Sequence, residues 1–183
     1  MNVPTLRTER LVLEPLSRAH SLGMFALWSD DEVCRYSGKT VDADGRAIES
    51  PVQTRADSDR ILDYWLRASE GGTGFRWALV LRESGSFLGT AGFNALGECC
   101  EYAYHLHPSA WGRGFMSEAT VAALDWASSC EPCAEVEAFI DRDNDRSIAL
   151  ALRNGFEWRA QGTDGTDRYV TRVRRREGSA ELP

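Results

Sequence analysis

The sequence lacks a long apolar run and has no excess of basic residues. No run approaches the ~20 apolar residues that a membrane-spanning helix needs, and the N-terminus lacks the apolar core of a secretion signal. Lysine and arginine number 21 against 28 aspartates and glutamates, and the net charge of -7 disfavours a nucleic-acid surface while mildly favouring an amine-bearing partner. We therefore expect a cytoplasmic protein that binds neither membranes nor nucleic acids.

Two nucleotide-binding motifs are also missing. Neither Gly-Lys-Ser nor Gly-Lys-Thr occurs, which argues against the phosphate loop of nucleotide triphosphatases. Gly112-x-Gly114-x-x-Ser117 lacks the third glycine of the dinucleotide fingerprint, and only about 70 residues follow it, fewer than a doubly wound fold needs. We expect one domain over residues 1–183, with a flexible loop at about 38–56 and a frayed tail at about 174–183.

The five cysteines are an odd number and follow no secretion signal, so reduced thiols are expected. Cys99 and Cys100 precede one predicted strand, and Cys130 and Cys133 precede another. If those strands are parallel neighbours, the four thiols lie at one end of the sheet, where a zinc ion or a disulfide could join them. Free, partly buried thiols are the more usual state of such residues, and we predict no metal.

Hydrophobic spacing and turn residues divide the chain into strands and helices. Strands are predicted at 11–13, 75–82, 86–93, 101–106, 136–140 and 168–173. Helices are predicted after the N-cap Ser17, at 57–68 and at 117–128. The strands at 101–106 and 136–140 would form a right-handed crossover through the helix between them.

The most informative stretch, residues 107–119, joins the strand at 101–106 to the helix at 117–128 through two glycines. Pro108 ends the strand because it has no N–H, and Glu118 lies in the first turn, where the helix dipole favours a carboxylate. A glycine turn leading into a helix leaves several backbone N–H groups free to bind phosphate. We expect the cofactor here; the alternative is a tight turn whose glycines serve the backbone alone.

A second stretch, residues 144–156, completes a recognisable pattern. Residues 111–116 resemble the pyrophosphate loop of the GNAT family of acyl-CoA-dependent N-acetyltransferases, written Gln/Arg-x-x-Gly-x-Gly/Ala, and residues 144–156 resemble its Asn-x-x-Ser/Ala helix ending in Gly-Phe. Residues 6–16 are similar to the start of the RimJ/RimL branch, whose named members acetylate protein N-termini, and Trp111 also fits that branch. The resemblance runs from Thr5 to about Val173.

The resemblance implies a mixed α/β (α+β) GNAT fold, in which a central, mostly antiparallel twisted sheet has a parallel fourth and fifth strand and is flanked by helices. It also implies acetyl-CoA as the cosubstrate. The cofactor-binding residues that it marks are Tyr104, Leu106, Trp111, Gly112, Arg113, Gly114, Phe115, Met116, Asn144 and Ser147.

Amide formation requires a proton acceptor, because a typical primary amine is protonated at pH 7, and donors for the carbonyl oxygen and the departing thiolate. Glu101 is the candidate base, since GNAT members with a fourth-strand glutamate carry it at this position. Glu98 is a weaker substitute, and Glu101 could instead be an edge carboxylate that faces solvent. The carbonyl donor would be a backbone N–H near residues 105–107.

Ser147 is the candidate proton donor to the thiolate. Many GNAT enzymes use a tyrosine seven residues after the motif asparagine, but Ala151 stands there, and in the RimJ/RimL branch the serine is thought to take its place. Ser147 could instead be only a first-turn helix residue, and Asn144 could bind the pantetheine arm, cap the helix, or do both. Met116 replaces the family's Gly or Ala and implies weaker or repositioned cofactor binding.

Together these features predict acetyl transfer from acetyl-CoA to a primary amine in a ternary complex. A protein or peptide N-terminus is the expected acceptor; the alternatives are a small amine, such as an antibiotic or polyamine, and a CoA-binding regulatory module that has lost catalysis. The polar stretch 38–54 either shapes acceptor choice or is a solvated excursion. His105 and His107 are left out of the catalytic set, and a homodimer is the family expectation.

Overall fold

The computed structural model describes residues 1–162 and 164–173. The strands in these residues are β1 (Leu6–Arg7), β2 (Leu11–Pro15), β3 (Thr40–Val41), β4 (Ala47–Ile48), β5 (Phe75–Leu81), β6 (Phe87–Ala95), β7 (Cys99–Leu106), β8 (Glu135–Asp141), β9 (Glu157–Gln161) and β10 (Thr166–Arg172). The helices are α1 (Ser21–Trp28), α2 (Asp31–Cys34), α3 (Arg55–Gly71), α4 (Phe115–Ser128) and α5 (Asp145–Arg153). Short 3-10 turns occur at Arg18–His20 and Pro108–Ala110.

Eight of these strands form one sheet in the order β1-β2-β5-β6-β7-β8-β10-β9, while β3 and β4 form a separate hairpin. Neighbouring strands pair antiparallel, except that β7 and β8 run parallel. The predicted mixed fold with a parallel strand pair is therefore confirmed, because β7 and β8 are the strands expected at 101–106 and 136–140.

The sheet separates two apolar cores, since successive side chains of a strand point to opposite faces. Trp77 of β5 packs into the core beneath α4, whereas Ala78 belongs to the core formed with α1 and α3. In the first core, the Phe75 ring meets Trp77 and Trp126 edge to face, with ring centroids 4.6 and 4.9 Å apart. These fully or largely buried aromatic rings fix the distance between α4 and the sheet.

A gap opens between β7 and β8 near the middle of the sheet. Among the described residues, the two strands pair at three positions: Cys99 with Glu135, Cys100 with Val136, and Glu101 with Glu137. β7 continues to Leu106 and β8 to Asp141 beyond the last of these pairs. The backbone groups on the facing edges of these continuations are therefore available to a ligand.

Residues 38–56 fold back on α3 and contain the β3–β4 hairpin. Asp42 accepts hydrogen bonds from the backbone N–H groups of Asp44 and Arg46, at 3.0 and 2.9 Å, and from the Arg60 guanidinium at 2.6 Å. Ile48 of the hairpin is 7% exposed and belongs to the core with α1 and α3. This stretch is thus tied to α3 by a buried carboxylate and an apolar anchor.

The sequence analysis missed several elements. β9 is exposed along its whole length, so its sequence carries no alternation of apolar and polar residues.

Of the residues that the structure describes, no helix has the length and apolarity to cross a membrane. The predicted frayed tail at 174–183 lies outside the described residues, as does Thr163.

Candidate active site

The turn between β7 and α4 contains two glycines and leads directly into the start of a helix. Gly112 and Gly114 have φ angles of 70° and 79°, which cost a residue with a side chain roughly 1–2 kcal/mol. Gly114 is the N-cap of α4, which begins at Phe115. The N–H groups of the first helical turn have no intrahelical partner, and the helix dipole makes this end attractive to an anion.

Arg10 and Glu118 fasten this turn to the N-terminal part of the chain. Glu118 accepts hydrogen bonds from the Thr8 hydroxyl at 2.5 Å, and from the backbone N–H and the Nε of Arg10 at 2.7 Å each. Arg10 also donates to the Arg113 carbonyl oxygen at 2.9 Å. Burial by itself would raise the pKa of Glu118, but these bonds lower it overall, which keeps the carboxylate ionised.

A cleft of about 740 Å³ runs from this turn to the start of α5. Its walls come from the end of β7, the start of α4, the β8–α5 connection, and α2 with the residues that follow it. Nine of the ten predicted cofactor-binding residues line the cleft: Tyr104, Leu106, Trp111, Gly112, Gly114, Phe115, Met116, Asn144 and Ser147. The tenth, Arg113, does not; its guanidinium lies over the Phe115 ring, 4.8 Å from the centroid.

Trp111 connects three parts of the cleft wall. Its indole Nε1 donates to the carbonyl oxygen of Leu106 at 2.7 Å, which holds the ring against the end of β7. The Arg146 guanidinium of α5 lies over the ring, 4.5 Å from its centroid.

Leu106 also presents backbone groups to the gap beside β8. The N–H of the next residue, His107, donates to the Leu88 carbonyl oxygen of the β6 strand at 2.8 Å. Backbone groups of consecutive strand residues point in opposite directions, so those of Leu106 face away from β6. The Leu106 N–H is therefore the backbone donor directed toward the gap in the predicted region 105–107.

Ser147 and Tyr104 face each other across the cleft. Asn144 is the N-cap of α5, and its side-chain oxygen accepts from the Ser147 N–H at 3.2 Å. The capping role considered for Asn144 is thus confirmed. Burial raises the pKa of Tyr104 to about 12, and the Ser147 side chain opposes that rise. Two neutral hydroxyl groups therefore stand where α5 meets β7.

Glu101 lies on the face of β7 opposite to Tyr104, at the last position paired with β8. Tyr102 on the α4 face bonds with Thr120 at 3.1 Å, whereas Glu101 alternates to the side of α1 and α3. The carboxylate is partly buried and accepts a hydrogen bond from the Asn94 side-chain amide. Because β7 lies between β6 and β8, the alternative of an edge carboxylate facing solvent is wrong.

His105 shares this face but is not suited to accept a proton. Its Nε2 lies 3.1 Å from the Ser37 hydroxyl, and its ring centroid is 4.5 Å from that of Trp28. Burial, with a smaller contribution from Arg76, lowers the pKa of His105 to about 3, so the imidazole is neutral near pH 7.

A family comparison agrees with this geometry. Residues 10–157 match the model described as the acetyltransferase (GNAT) domain. The chain belongs to the GNAT acetyltransferase family. It is an acetyl-CoA-dependent N-acetyltransferase, and acetyl-CoA is its cosubstrate.

Relatives of this GNAT domain include proteins of different acceptor classes. The uncharacterized N-acetyltransferase YoaA of Bacillus subtilis (strain 168) is 30% identical over 158 residues, which span 84% of this chain and 83% of YoaA. A structure of RimL, a ribosomal L7/L12 alpha-N-protein acetyltransferase in complex with coenzyme A, is similar with a TM-score of 0.76 at 16% identity, covering 93% of this chain and 98% of RimL. Spermidine N-acetyltransferase from Vibrio cholerae, in complex with CoA and spermine, has a TM-score of 0.71 at 14% identity, covering 90% and 96%. At these identities, the two structures support the fold alone.

Met116 departs from the GNAT pattern without projecting its side chain into solvent. It is 6% exposed, and its sulfur lies 3.8 Å from the Tyr102 hydroxyl in the core beneath α4. The Met116 side chain is therefore packed mostly within the core of the GNAT domain. The weaker cofactor binding expected from Met116 stays a prediction.

The wall formed by α2 and the residues after it was not predicted. Asp30 caps α2 by accepting from the backbone N–H groups of Glu32 and Val33, at 2.9 and 3.1 Å. The Tyr36 hydroxyl then donates to the Asp143 carbonyl oxygen at 3.2 Å, which spans the cleft of the GNAT domain. An aspartate cap followed by Asp-Glu-Val, with two acidic residues in the first turn, was the available sequence signal for this helix.

The cysteine pairs do lie at the same end of the sheet, because Cys99 pairs with Glu135 just after Cys133. All five cysteines of this GNAT domain are free thiols. Among the residues that the structure describes, no group of three or more cysteine, histidine or acidic side chains is placed to hold a metal ion. The expectation of partly buried thiols is confirmed for Cys99 and Cys130, while Cys100 and Cys133 are fully buried.

Proposed function

We propose that this GNAT domain acetylates the N-terminal amine of a protein or peptide by direct attack on acetyl-CoA in a ternary complex. The observation that carries the proposal is the position of Glu101 and Ser147. They approach the gap between β7 and β8 from opposite faces of the sheet, one beside α1 and α3 and the other on α5. A thioester lying in that gap would have a proton acceptor on one side and a proton donor on the other.

The cleft residues suit the chemistry of acetyl-CoA. The unpaired N–H groups after Gly112 and Gly114 would receive the pyrophosphate, with Trp111, Arg113 and Phe115 shaping the turn around it. The exposed edge of β7 at Tyr104 and Leu106, together with Asn144 and Ser147, would hold the pantetheine arm by backbone and side-chain hydrogen bonds. When bound, acetyl-CoA supplies the activated acetyl group.

The proposed roles account for each proton. A neutral amine attacks the thioester carbon, and its N–H proton passes to Glu101 as the N–C bond forms. The Leu106 N–H stabilises the negative charge that builds on the carbonyl oxygen. As the C–S bond breaks, the Ser147 hydroxyl gives its proton to the sulfur and regains one from solvent, and Glu101 releases to solvent the proton that it took from the amine. The products are the acetylated amine and the free thiol.

An N-terminal acceptor is supported by residues 6–16 and Trp111, which resemble the RimJ/RimL branch, and the likeness to RimL agrees at the level of the fold. A small polycationic amine is the second candidate. The net charge of -7 favours it, and the likeness to the spermidine enzyme again agrees only in fold.

We also propose a cytoplasmic location, because five free thiols suit a reducing compartment. A homodimer is proposed from the family resemblance, and sedimentation of the purified protein measures it directly.

The test is acetyl-CoA binding by calorimetry, followed by thiol release with a panel of peptides that have free N-termini, matched N-blocked peptides, spermidine and an aminoglycoside. We expect binding, and release with the free peptides only. Release with spermidine alone would overturn the N-terminal acceptor in favour of the small amine. Binding without release for any acceptor would favour the regulatory module, and no binding would remove the cofactor assignment of residues 111–116.

A further inference from the structure

Arg76 of β5 is a buried cation. The residue is 4% exposed, its Nη1 donates to the Phe75 carbonyl oxygen at 3.1 Å, and its guanidinium lies 3.7 Å from the Trp65 ring centroid. Arginine is seldom buried so completely unless an anion balances it. Neither a carbonyl oxygen nor an indole ring carries a full negative charge, so a further partner is required.

That partner is Glu101, which Arg76 reaches through one amide. Arg76 Nη2 donates to the Asn94 side-chain oxygen, and the Asn94 side-chain nitrogen donates to Glu101 Oε1. Asn94 supplies one acceptor and one donor in this orientation, so the cation and the anion fix which way its amide points. The result is a continuous chain of hydrogen bonds across three neighbouring strands.

A β-bulge places Asn94 between the two charged groups. The β6–β7 register pairs Phe93 with Tyr102 but Ala95 with Glu101, so Asn94 is the extra residue on β6. A bulge turns a side chain away from the direction that regular pairing would give it. Here the bulge occurs at the residue that links Arg76 to Glu101.

Gly92 lies on β6 where β5 and β6 approach each other closely. It pairs with Arg76 on one side and with Ala103 on the other, so a side chain there would share their face. A Cβ at this position would come within 2.2 Å of the Phe75 carbonyl oxygen, which excludes any other residue without a shift of the backbone. The close approach of β5 and β6 beside Arg76 therefore depends on this glycine.

The other titratable groups near Glu101 either form ion pairs with other residues or are uncharged. Glu137, its pairing partner on β8, forms an ion pair with Arg168 at 2.5 Å. His105, two residues beyond Ala103 on β7, is neutral, because burial and the charge of Arg76 lower its pKa to about 3.

Two tyrosines, Tyr64 of α3 and Tyr102 of β7, influence the pKa of Arg76. Burial lowers the pKa of Arg76 to about 9, and Glu101, Tyr102 and Tyr64 oppose this shift, with Glu101 the largest of the three. The guanidinium therefore remains protonated near pH 7, and Glu101 is the carboxylate that balances it.

We propose that Arg76 and Asn94 are positioning residues for acetyl transfer, which orient the Glu101 carboxylate at the gap between β7 and β8. Oε1 is engaged by Asn94, and Oε2 remains to take the proton of the acceptor amine. This inference rests on the proposed role of Glu101 as the base. It assigns a function to a buried arginine and a bulged asparagine that lie outside the cofactor cleft.

The first experiment follows the carboxylate itself and needs no acceptor. Protein labelled with carbon-13 in the glutamate carboxyl groups is studied by NMR at pH 7, and the Glu101 resonance is assigned by its absence from Glu101→Gln. Asn94→Ala removes the hydrogen bond to Oε1 and should move the Glu101 resonance. Arg76→Met removes the donor that fixes the Asn94 amide and should move the same resonance, whereas Arg76→Lys should restore most of the change.

The matched control is Arg67→Met, since Arg67 is an exposed arginine of α3 that pairs with Asp44 at 3.3 Å. Circular dichroism checks that each variant is folded, and Asn94→Ala, which leaves the buried charge in place, stands in if Arg76→Met does not fold. An unchanged Glu101 carboxyl resonance in Asn94→Ala and in every folded Arg76 variant would overturn the proposal.

The second experiment separates this inference from the assignment of the base. Thiol release is measured with a peptide that has a free N-terminus and, in parallel, with spermidine. Asn94→Ala should lower kcat by about tenfold and leave the KM for acetyl-CoA unchanged, and it should add no further loss in a Glu101→Gln background. An additive loss in the double variant would mean that Asn94 acts elsewhere. If Glu101→Gln keeps wild-type kcat while the Glu101 carboxyl resonance still moves in the Asn94 and Arg76 variants, the base assignment fails and the positioning contacts stand.

Discussion

The Arg146 guanidinium lies over the Trp111 indole, 4.5 Å from the ring centroid, and this contact joins the start of α5 to the turn before α4. The two residues come from the two sequence stretches on which the family resemblance rests. Both residues line the cleft that those stretches build.

Loss of this contact should weaken cofactor binding. A cation–π contact contributes about 0.5–2 kcal/mol, so Arg146→Ala should raise the Kd for acetyl-CoA by roughly 2- to 30-fold in calorimetry. Arg159→Ala is the control, because Arg159 is an exposed arginine of β9 that pairs with Glu157 at 3.0 Å. Equal affinities in both variants would contradict a role for the stacked pair.

Glu101→Gln should abolish most turnover while preserving the fold. General bases typically contribute 10²–10⁴-fold, and we expect a fall of about that size in kcat for thiol release at neutral pH. Glu98→Gln is the control, since Glu98 is exposed and precedes β7. A Glu101→Gln enzyme within about threefold of wild type would rule out this carboxylate as the base.

Ser147→Ala distinguishes a proton donor from a simple helix residue. If the hydroxyl protonates the thiolate, kcat should fall by about 10²-fold with little change in acetyl-CoA affinity. Asn144→Ala provides the comparison, because loss of an N-cap costs about 1 kcal/mol and should lower the melting temperature of the domain. A Ser147→Ala enzyme with normal kcat would assign the serine to the helix alone.

Gly114→Ala should damage the phosphate turn specifically. The φ angle of 79° strains any residue with a Cβ by about 1–2 kcal/mol, and the new methyl group would lie 3.4 Å from Arg10 Nη2. We expect roughly tenfold weaker acetyl-CoA binding by calorimetry. Gly85→Ala carries a similar penalty at φ 70° in the β5–β6 turn, so its affinity for acetyl-CoA should remain that of the wild type.

Glu118 should make stability depend on pH below neutrality. Its folded-state pKa is lowered, so its contribution is fully present above the ordinary glutamate pKa and is lost as the pH falls through the folded value. Glu118→Gln should therefore reduce the free energy of unfolding by about 1.5–3 kcal/mol at pH 7, measured in urea. The difference from wild type should shrink toward pH 3; a constant difference would show that its charge is irrelevant.

The sequence predicted the fold best where a regular hydrophobic pattern ends or begins at a proline, a glycine or a helix-capping residue. Pro108 and the glycines at 112 and 114 marked the passage from β7 to α4, and Asn144 marked the start of α5. The parallel pairing of β7 with β8 came from the family resemblance. Hydrophobic spacing identifies a strand but does not name its neighbours.

The parts of the site that went unpredicted depend on pairing between distant residues. Arg76 stands in an otherwise apolar strand, and nothing in that strand indicates that its partner lies two strands away. The bulge at Asn94 arises from a one-residue mismatch between β6 and β7, which has no signature in either strand alone. Tyr36 likewise acquires its role from a contact with Asp143, 107 residues later.

Because β7 and β8 pair at three positions among the described residues, the central sheet consists of two parts, or leaves, that join at this short ladder. One leaf contains β1, β2, β5, β6 and β7, the other contains β8, β10 and β9, and β7–α4–β8 connects them. A ligand that lies between the leaves acts as a mechanical strut as well as a reactant. Binding of acetyl-CoA should in that case make the whole domain more rigid. The amine acceptor then binds to a stiffer protein than acetyl-CoA does.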